Sequence, residues 1–175
     1  MPVTLPPFLT DRQLVTLAAM VGHEGEATHD DLHAISDLLD TYAHAIDTRD
    51  WVLLATVFSD DAIIDYTASG GPRGPFDEAL AFLIPSLAMI SMSQHLITNK
   101  RIVLDCDAAA STAYFYSPLA VTDESGTTQM LHVGGSYRDV FRRTEHGWRI
   151  TERVQRNAWF DGALAAGIDL GTSSL

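Results

Sequence analysis

Apolar residues recur along the chain with two successive periods. Leu32, Ile35, Leu38, Leu39, Tyr42, Ala43 and Ile46 follow one another every three to four residues, the spacing of a buried helix face, and Thr28 to Asp30 supply polar caps ahead of them. A weaker stripe, Leu14, Leu17, Ala18 and Val21 behind Thr10 and Asp11, predicts a short helix that Gly22 and Gly25 end, after an extended arm with Pro2, Pro6 and Pro7. Trp51, Leu54, Ala55 and Phe58 predict a third, short helix capped by Asp50. Residues 62–66 read as a short strand, the run from Gly70 to Pro75 as a loop, and 76–90 as an apolar helix that Pro85 kinks.

From Gln94 onward the period shortens. Four runs rich in β-branched and aromatic residues, 97–104, 111–122, 128–141 and 148–158, predict long strands, with turns at 123–126 and 145–147. Helices followed by hairpin-linked strands predict an α+β architecture: a curved antiparallel sheet wrapped around N-terminal helices as a cone with one open mouth. The organisation expected is an arm and short helix over residues 1–27, the cone over 28–165 and a tail over 166–175. The segment from Asp161 is rich in Gly, Ala and Ser and reads as a loose tail or a lid.

Composition narrows the function classes. At 175 residues the chain suits one domain, and 46% hydrophobic with 19% charged residues is the balance of a folded protein. Eleven Lys and Arg against 23 Asp and Glu give a net charge of −12, which repels phosphate backbones, so no nucleic-acid partner is expected. No apolar run approaches the ~18 residues of a membrane span. The opening MPVTLPPFLT lacks a basic start and a long apolar run, so no secretory signal is expected and the location expected is cytoplasmic. Cys106 is the single cysteine and reads as a strand-end residue.

Polar residues at otherwise apolar positions are the candidates for chemistry. Tyr42 lies in the stripe of the second helix. Asp47 stands at that helix's C-terminal end, where a carboxylate faces the negative end of the dipole, so another group must favour it. Tyr66 closes the short strand before the glycine loop, and His95 opens the next strand in Ser93-Gln94-His95-Leu96. The other histidines read as solvent-facing or structural. No metal and no cofactor are expected.

These four residues form a familiar constellation. The stretch YAHAIDTRDWVLLATVFSDDAIIDY, residues 42–66, resembles the first half of SnoaL-like proteins of the nuclear-transport-factor-two superfamily, whose fold is a cystatin-like α+β barrel. Asp47, Asp50, Trp51 and the Ile64-Asp65-Tyr66 strand are similar to scytalone dehydratase, and Ser93-Gln94-His95 matches the position of that family's catalytic histidine. The set Tyr42, Asp47, Tyr66 and His95 resembles the site of bile-acid dehydratases. Residues 133–137 through Gly147-Trp148 resemble the hexachlorocyclohexane dehydrochlorinases, whose Asp–His dyad maps onto Asp47 and His95. Scytalone dehydratase carries a second catalytic histidine on the strand that here reads Tyr116 to Val121, and none is present.

The resemblance implies a cofactor-independent lyase of dehydratase type, with His95 as base, Asp47 as its orienting acid and the tyrosines as hydrogen-bond donors. An isomerase or cyclase of secondary metabolism would use the same dyad, and a non-catalytic binding or structural subunit would lack it. The expected pocket is apolar, with Tyr116, Leu131, Val133, Gly135, Tyr137 and Trp159 against a small ring-bearing or polyketide-like substrate. The outer sheet face, with His132, Ser136 and Arg138, is expected to bury itself in a homo-oligomer, a trimer before a dimer.

Overall fold

The computed structural model describes residues 28–122 and 125–162. The expected N-terminal arm and first short helix, the tail, and positions 123 and 124 of one turn lie outside the described residues. In chain order the elements are α1 (His29–Thr48), α2 (Trp51–Ala55), β1 (Phe58–Asp65), a 3-10 turn (Thr67–Ser69), β2 (Arg73–Pro75), α3 (Phe76–Ala88), β3 (Ile90–Ser93), β4 (Leu96–Asp105), β5 (Ala108–Thr122), β6 (Thr128–Thr144) and β7 (Gly147–Asp161).

The first long helix begins on a reciprocal cap. The Thr28 hydroxyl accepts from the Asp31 backbone N–H, and the Asp31 carboxylate accepts from the Thr28 backbone N–H at 2.9 Å. Asp31 also accepts from the Trp148 indole at 3.0 Å and pairs with Arg143 at 2.7 Å, which fastens the helix start to the β6–β7 hairpin. The face carrying Ile35, Leu39, Tyr42 and Ile46 is buried, as its spacing predicts. Asp50 caps α2 by accepting from the Leu53 N–H at 2.9 Å.

The seven strands form one curved, unclosed sheet in the order β2-β1-β7-β6-β5-β3, with β4 pairing β5 alongside β3. The α+β cone is therefore the architecture. One pair departs from the expected antiparallel pattern: β1 runs parallel to β7, through partners such as Ile64↔Arg153. The helices α1 and α3 close the concave side, over Phe58, Phe115, Tyr137, Phe141 and Ile150.

Several boundaries differ from the expectation. Phe58 begins β1 instead of ending a helix, because α2 stops at Ala55 and Ser59, Asp60 and Asp61 break the apolar alternation of the strand. The glycine loop contains a three-residue edge strand, β2, paired antiparallel to β1. Ile90 belongs to β3 and not to the preceding helix, which holds Pro85 within its span. Cys106 lies in the turn between β4 and β5 with a left-handed backbone, φ 54°.

Candidate active site

Two breaks in regular structure bring Asp47 and His95 together. Asp47 is in the last turn of α1, which Arg49 ends in a left-handed conformation, φ 61°. His95 lies in the two-residue gap between β3 and β4. Ser93 pairs with Leu119 and Leu96 with Tyr116, so both strands hang from β5, and His95 in the gap reaches the cavity. One Asp47 oxygen is 2.7 Å from His95 Nδ1, and the other accepts from the His95 backbone N–H at 2.6 Å. A carboxylate that holds the backbone and the ring of the same residue fixes both the place and the rotation of the imidazole. With Nδ1–H donating to Asp47, Nε2 carries the lone pair.

Burial pushes the Asp47 carboxyl up. Hydrogen bonds from the His95 ring, the His95 backbone and the Ser93 hydroxyl outweigh it and hold the carboxyl below the ordinary aspartate value. The unfavourable placement at a helix C-terminus is therefore offset by the groups gathered around it.

His95 lines a cavity of about 310 Å³. Its walls are mostly apolar: Ile46 from α1, Phe82, Leu83 and Leu87 from α3, Ile90 from β3, Phe115, Leu119 and Val121 from β5, and Leu131, Val133 and Tyr137 from β6. The polar lining comes from Tyr42, Tyr66, Ser69, Ser86, His95, Ser117, Gln155 and Asn157. The Tyr42 and Tyr66 hydroxyls share a hydrogen bond of 2.9 Å and both residues reach the cavity. Asn157 donates to the Ala68 carbonyl at 2.7 Å, which ties the 3-10 turn beside Tyr66 to β7. Ser117 lines the wall facing the β3–β4 gap, and its buried hydroxyl has no hydrogen-bond partner among the described residues.

Beneath the tyrosines lies a buried ion pair. Arg153 is fully buried and binds Asp139 through two parallel hydrogen bonds of 2.7 and 2.9 Å. Burial pushes the phenols of Tyr66 and Tyr137 well above the ordinary tyrosine value, and neighbouring Tyr42 adds to it while Arg153 opposes it. Both phenols stay protonated and remain donors.

Of the residues singled out in the sequence, Tyr42, Tyr66, His95, Leu131, Val133 and Tyr137 line the cavity, and Asp47 stands directly behind His95. Three do not line it. Tyr116 is on the opposite sheet face, where its hydroxyl meets His132 Nδ1 at 2.8 Å and its ring stacks on that imidazole. Trp159 is half exposed on that same outer face, beside Tyr116. An extra residue in β7 opposite Gly134 and Gly135 shifts the alternation, and Trp159 covers Gly134, where a Cβ would collide with the indole. The space at Gly135 is filled by the Phe115 ring and the Arg156 carbonyl and does not extend the cavity.

The β5 wall, the α3 wall and the Arg153–Asp139 pair were missed in the sequence. On β5 the inward positions are Ala113, Phe115, Ser117 and Leu119, fixed by pairing Phe115 with Gly135 and Leu119 with Leu131. The aromatic pair Tyr114 and Tyr116 is the stronger pattern signal but points outward. The histidines held one further signal. His29 and His33 are one helical turn apart, and with Asp30 their ligand atoms lie within 4.8 Å of one another on the exposed start of α1. This is a spacing able to chelate a cation, and the reading of these histidines as plain solvent-facing residues overlooked it.

The structure thus combines an α+β cone with a carboxylate-held histidine at the wall of a mostly apolar cavity. A SnoaL-like domain model matches residues 27–154, and the chain belongs to the SnoaL-like family. An uncharacterized protein of Mycobacterium tuberculosis is 36% identical over 121 residues, covering 69% of this chain and 81% of its own length. Among solved structures, a hexachlorocyclohexane dehydrochlorinase (type 2) has a TM-score of 0.66 at 22% identity, covering 83% of this chain and 96% of its own. A provisional scytalone dehydratase from Novosphingobium aromaticivorans has a TM-score of 0.66 at 16% identity, covering 83% and 95%. These two likenesses carry the fold. Among the described residues no helix is long and apolar enough to cross a membrane.

Proposed function

We propose that the chain is a cofactor-independent lyase that removes water, or another β-substituent, from a small apolar substrate with a ring. The observation that carries this reading is the double hold of Asp47 on His95 at the cavity wall. His95 Nε2 takes a proton from a carbon made acidic by a neighbouring carbonyl. Asp47 stabilises the imidazolium as it forms. The Tyr42–Tyr66 pair donates to the carbonyl oxygen, where negative charge develops in a water-poor site. The C–H electrons form the new double bond, and the leaving group departs with its bonding pair. Water as the leaving group takes up a proton, so the proton that His95 accepted returns to solvent or to the departing oxygen.

Cavity size supports a ring-bearing occupant. A cavity of about 150 Å³ accepts one benzene ring, and this one is roughly twice that. The walls are mostly apolar and, among the described residues, carry no Lys or Arg, which suits an uncharged substrate better than a nucleotide. The same dyad and tyrosines would serve an isomerase or a cyclase, in which no group leaves, and product analysis separates these. A lone cysteine suits a reducing, cytoplasmic setting.

The reading includes self-association. The outer face exposes Tyr114, Tyr116, Met130 and Trp159, an apolar surface that a second copy would cover; a trimer is the assembly proposed. Sedimentation of a monomer at micromolar concentration would reject it. The test of the activity is mass spectrometry after incubation with β-hydroxy ketones such as 3-hydroxy-1-tetralone. Water loss that disappears in His95→Ala and Asp47→Asn, with both variants folded, supports the reading. Undiminished turnover in either variant removes it.

A further inference from the structure

Arg49 ends α1 in a backbone conformation that few side chains adopt, and its guanidinium spans the elements that carry the two halves of the dyad. Nη1 donates to the carbonyls of Ile46 at 2.6 Å and Asp47 at 3.3 Å and to the Ser93 hydroxyl at 2.8 Å. Nη2 donates to the carbonyls of Leu87 at 3.4 Å and Ile90 at 3.3 Å. These acceptors sit at the end of α1, the end of α3 and along β3. Two helix C-termini, both negative dipole ends, thus converge on the Arg49 guanidinium. A planar guanidinium with donors on several edges is suited to such a junction, and an ammonium is not.

The contact with Ser93 is the decisive one. Ser93 is two residues before His95, and its hydroxyl accepts from Arg49 Nη1. Asp47 and His95 are 48 residues apart. Arg49 joins the backbone of the first to the strand that delivers the second.

We propose that Arg49 is a positioning residue of the dyad: by joining the end of α1 to Ser93 it sets the separation at which Asp47 holds the His95 ring. This rests on the reading of Asp47 and His95 as the working pair. A displacement of about 1 Å in such a pair costs on the order of 100-fold in rate, so the effect of losing Arg49 falls on kcat and not on substrate binding.

The experiment compares Arg49→Met, Arg49→Lys and Ser93→Ala with the parent by proton NMR of the low-field imidazole N–H, identified by its loss in His95→Gln. Melting temperature, and kcat and KM on 3-hydroxy-1-tetralone, are measured in parallel. Expected are a moved or exchange-broadened resonance in Arg49→Met, a kcat lower by roughly 10- to 100-fold with KM nearly constant, and partial recovery in Arg49→Lys. A fall in melting temperature with the resonance and kcat unchanged, measured well below the transition, overturns the proposal. If Arg49→Met does not fold, an unmoved resonance in both Arg49→Lys and Ser93→Ala does the same. The resonance needs no substrate. Absence of turnover in the parent therefore counts against elimination, while a moved resonance in the variants still upholds the role of Arg49.

Discussion

The Arg153 guanidinium lies 3.8 Å from the centroid of the Tyr42 ring. Tyr137 is 4.4 Å from the same cation, and Asp139 holds it from the edge through two hydrogen bonds. A buried charge that is paired, hydrogen-bonded and faced by aromatic rings has its desolvation largely offset. Removing one partner leaves the other unpaired. Arg153→Met should lower stability by about 3–5 kcal/mol in urea denaturation, and Arg153→Met with Asp139→Leu should recover much of it. A double variant no more stable than the single one would show that the ion pair is not the source of the effect.

The Tyr42–Tyr66 hydrogen bond predicts non-additive behaviour. Tyr42→Phe or Tyr66→Phe strands the other buried hydroxyl and should cost about 1–3 kcal/mol, whereas the double variant should be close to the parent. Loss of either donor should also lower kcat by roughly 100- to 1,000-fold if the pair stabilises an oxyanion. Additive stability changes across the cycle would mean that the two hydroxyls are not coupled.

Much of the fold is legible because α1 and the four long strands carry strong, long periodicities. The face of a strand is less legible, because it depends on register. Tyr116 and Phe115 are adjacent and both aromatic, and only the pairing of Phe115 with Gly135 puts one inside and the other out. The bulge that turns Trp159 outward is a one-residue event without a pattern of its own. Asp47 and His95 stood out by their places at a helix end and a strand start, and the family resemblance joined them into a pair. Arg49 and Arg153 did not, since an arginine in a helix end or an alternating strand looks like a solvated one until its neighbours are known.

The capping carboxylate of α1 predicts acid sensitivity. The Arg143 hydrogen bond, joined by those of Trp148 and Thr28, outweighs burial and holds the Asp31 carboxyl far below its ordinary value near 3.8. The folded state binds this proton less readily than the unfolded chain does. Its contribution is complete above pH ~4 and is lost as pH falls below that value toward the folded one. Asp31→Asn should cost about 1–3 kcal/mol at neutral pH and flatten the acid limb of the stability curve. An unchanged acid limb would assign acid sensitivity to other carboxylates.

Gly135 offers a test of the cavity wall. Its absent side chain admits the Phe115 ring and the Arg156 carbonyl, so Gly135→Ala should destabilise the chain by about 1–3 kcal/mol through overpacking. Val133→Ala, at a position that lines the cavity, should instead enlarge it. The comparison is read by thermal melting with and without 1-tetralone. Stronger ligand stabilisation in Gly135→Ala than in the parent would place that residue in the binding wall after all.

The central claim is that His95, held by Asp47, removes a carbon-bound proton. The most direct measurement is loss of deuterium from 3-hydroxy-1-tetralone labelled at the carbon beside the carbonyl, followed by mass spectrometry in ordinary water against a protein-free control. Rapid deuterium loss is expected with the parent protein, and loss at the control rate with His95→Ala. Deuterium loss by His95→Ala as fast as by the parent would contradict it.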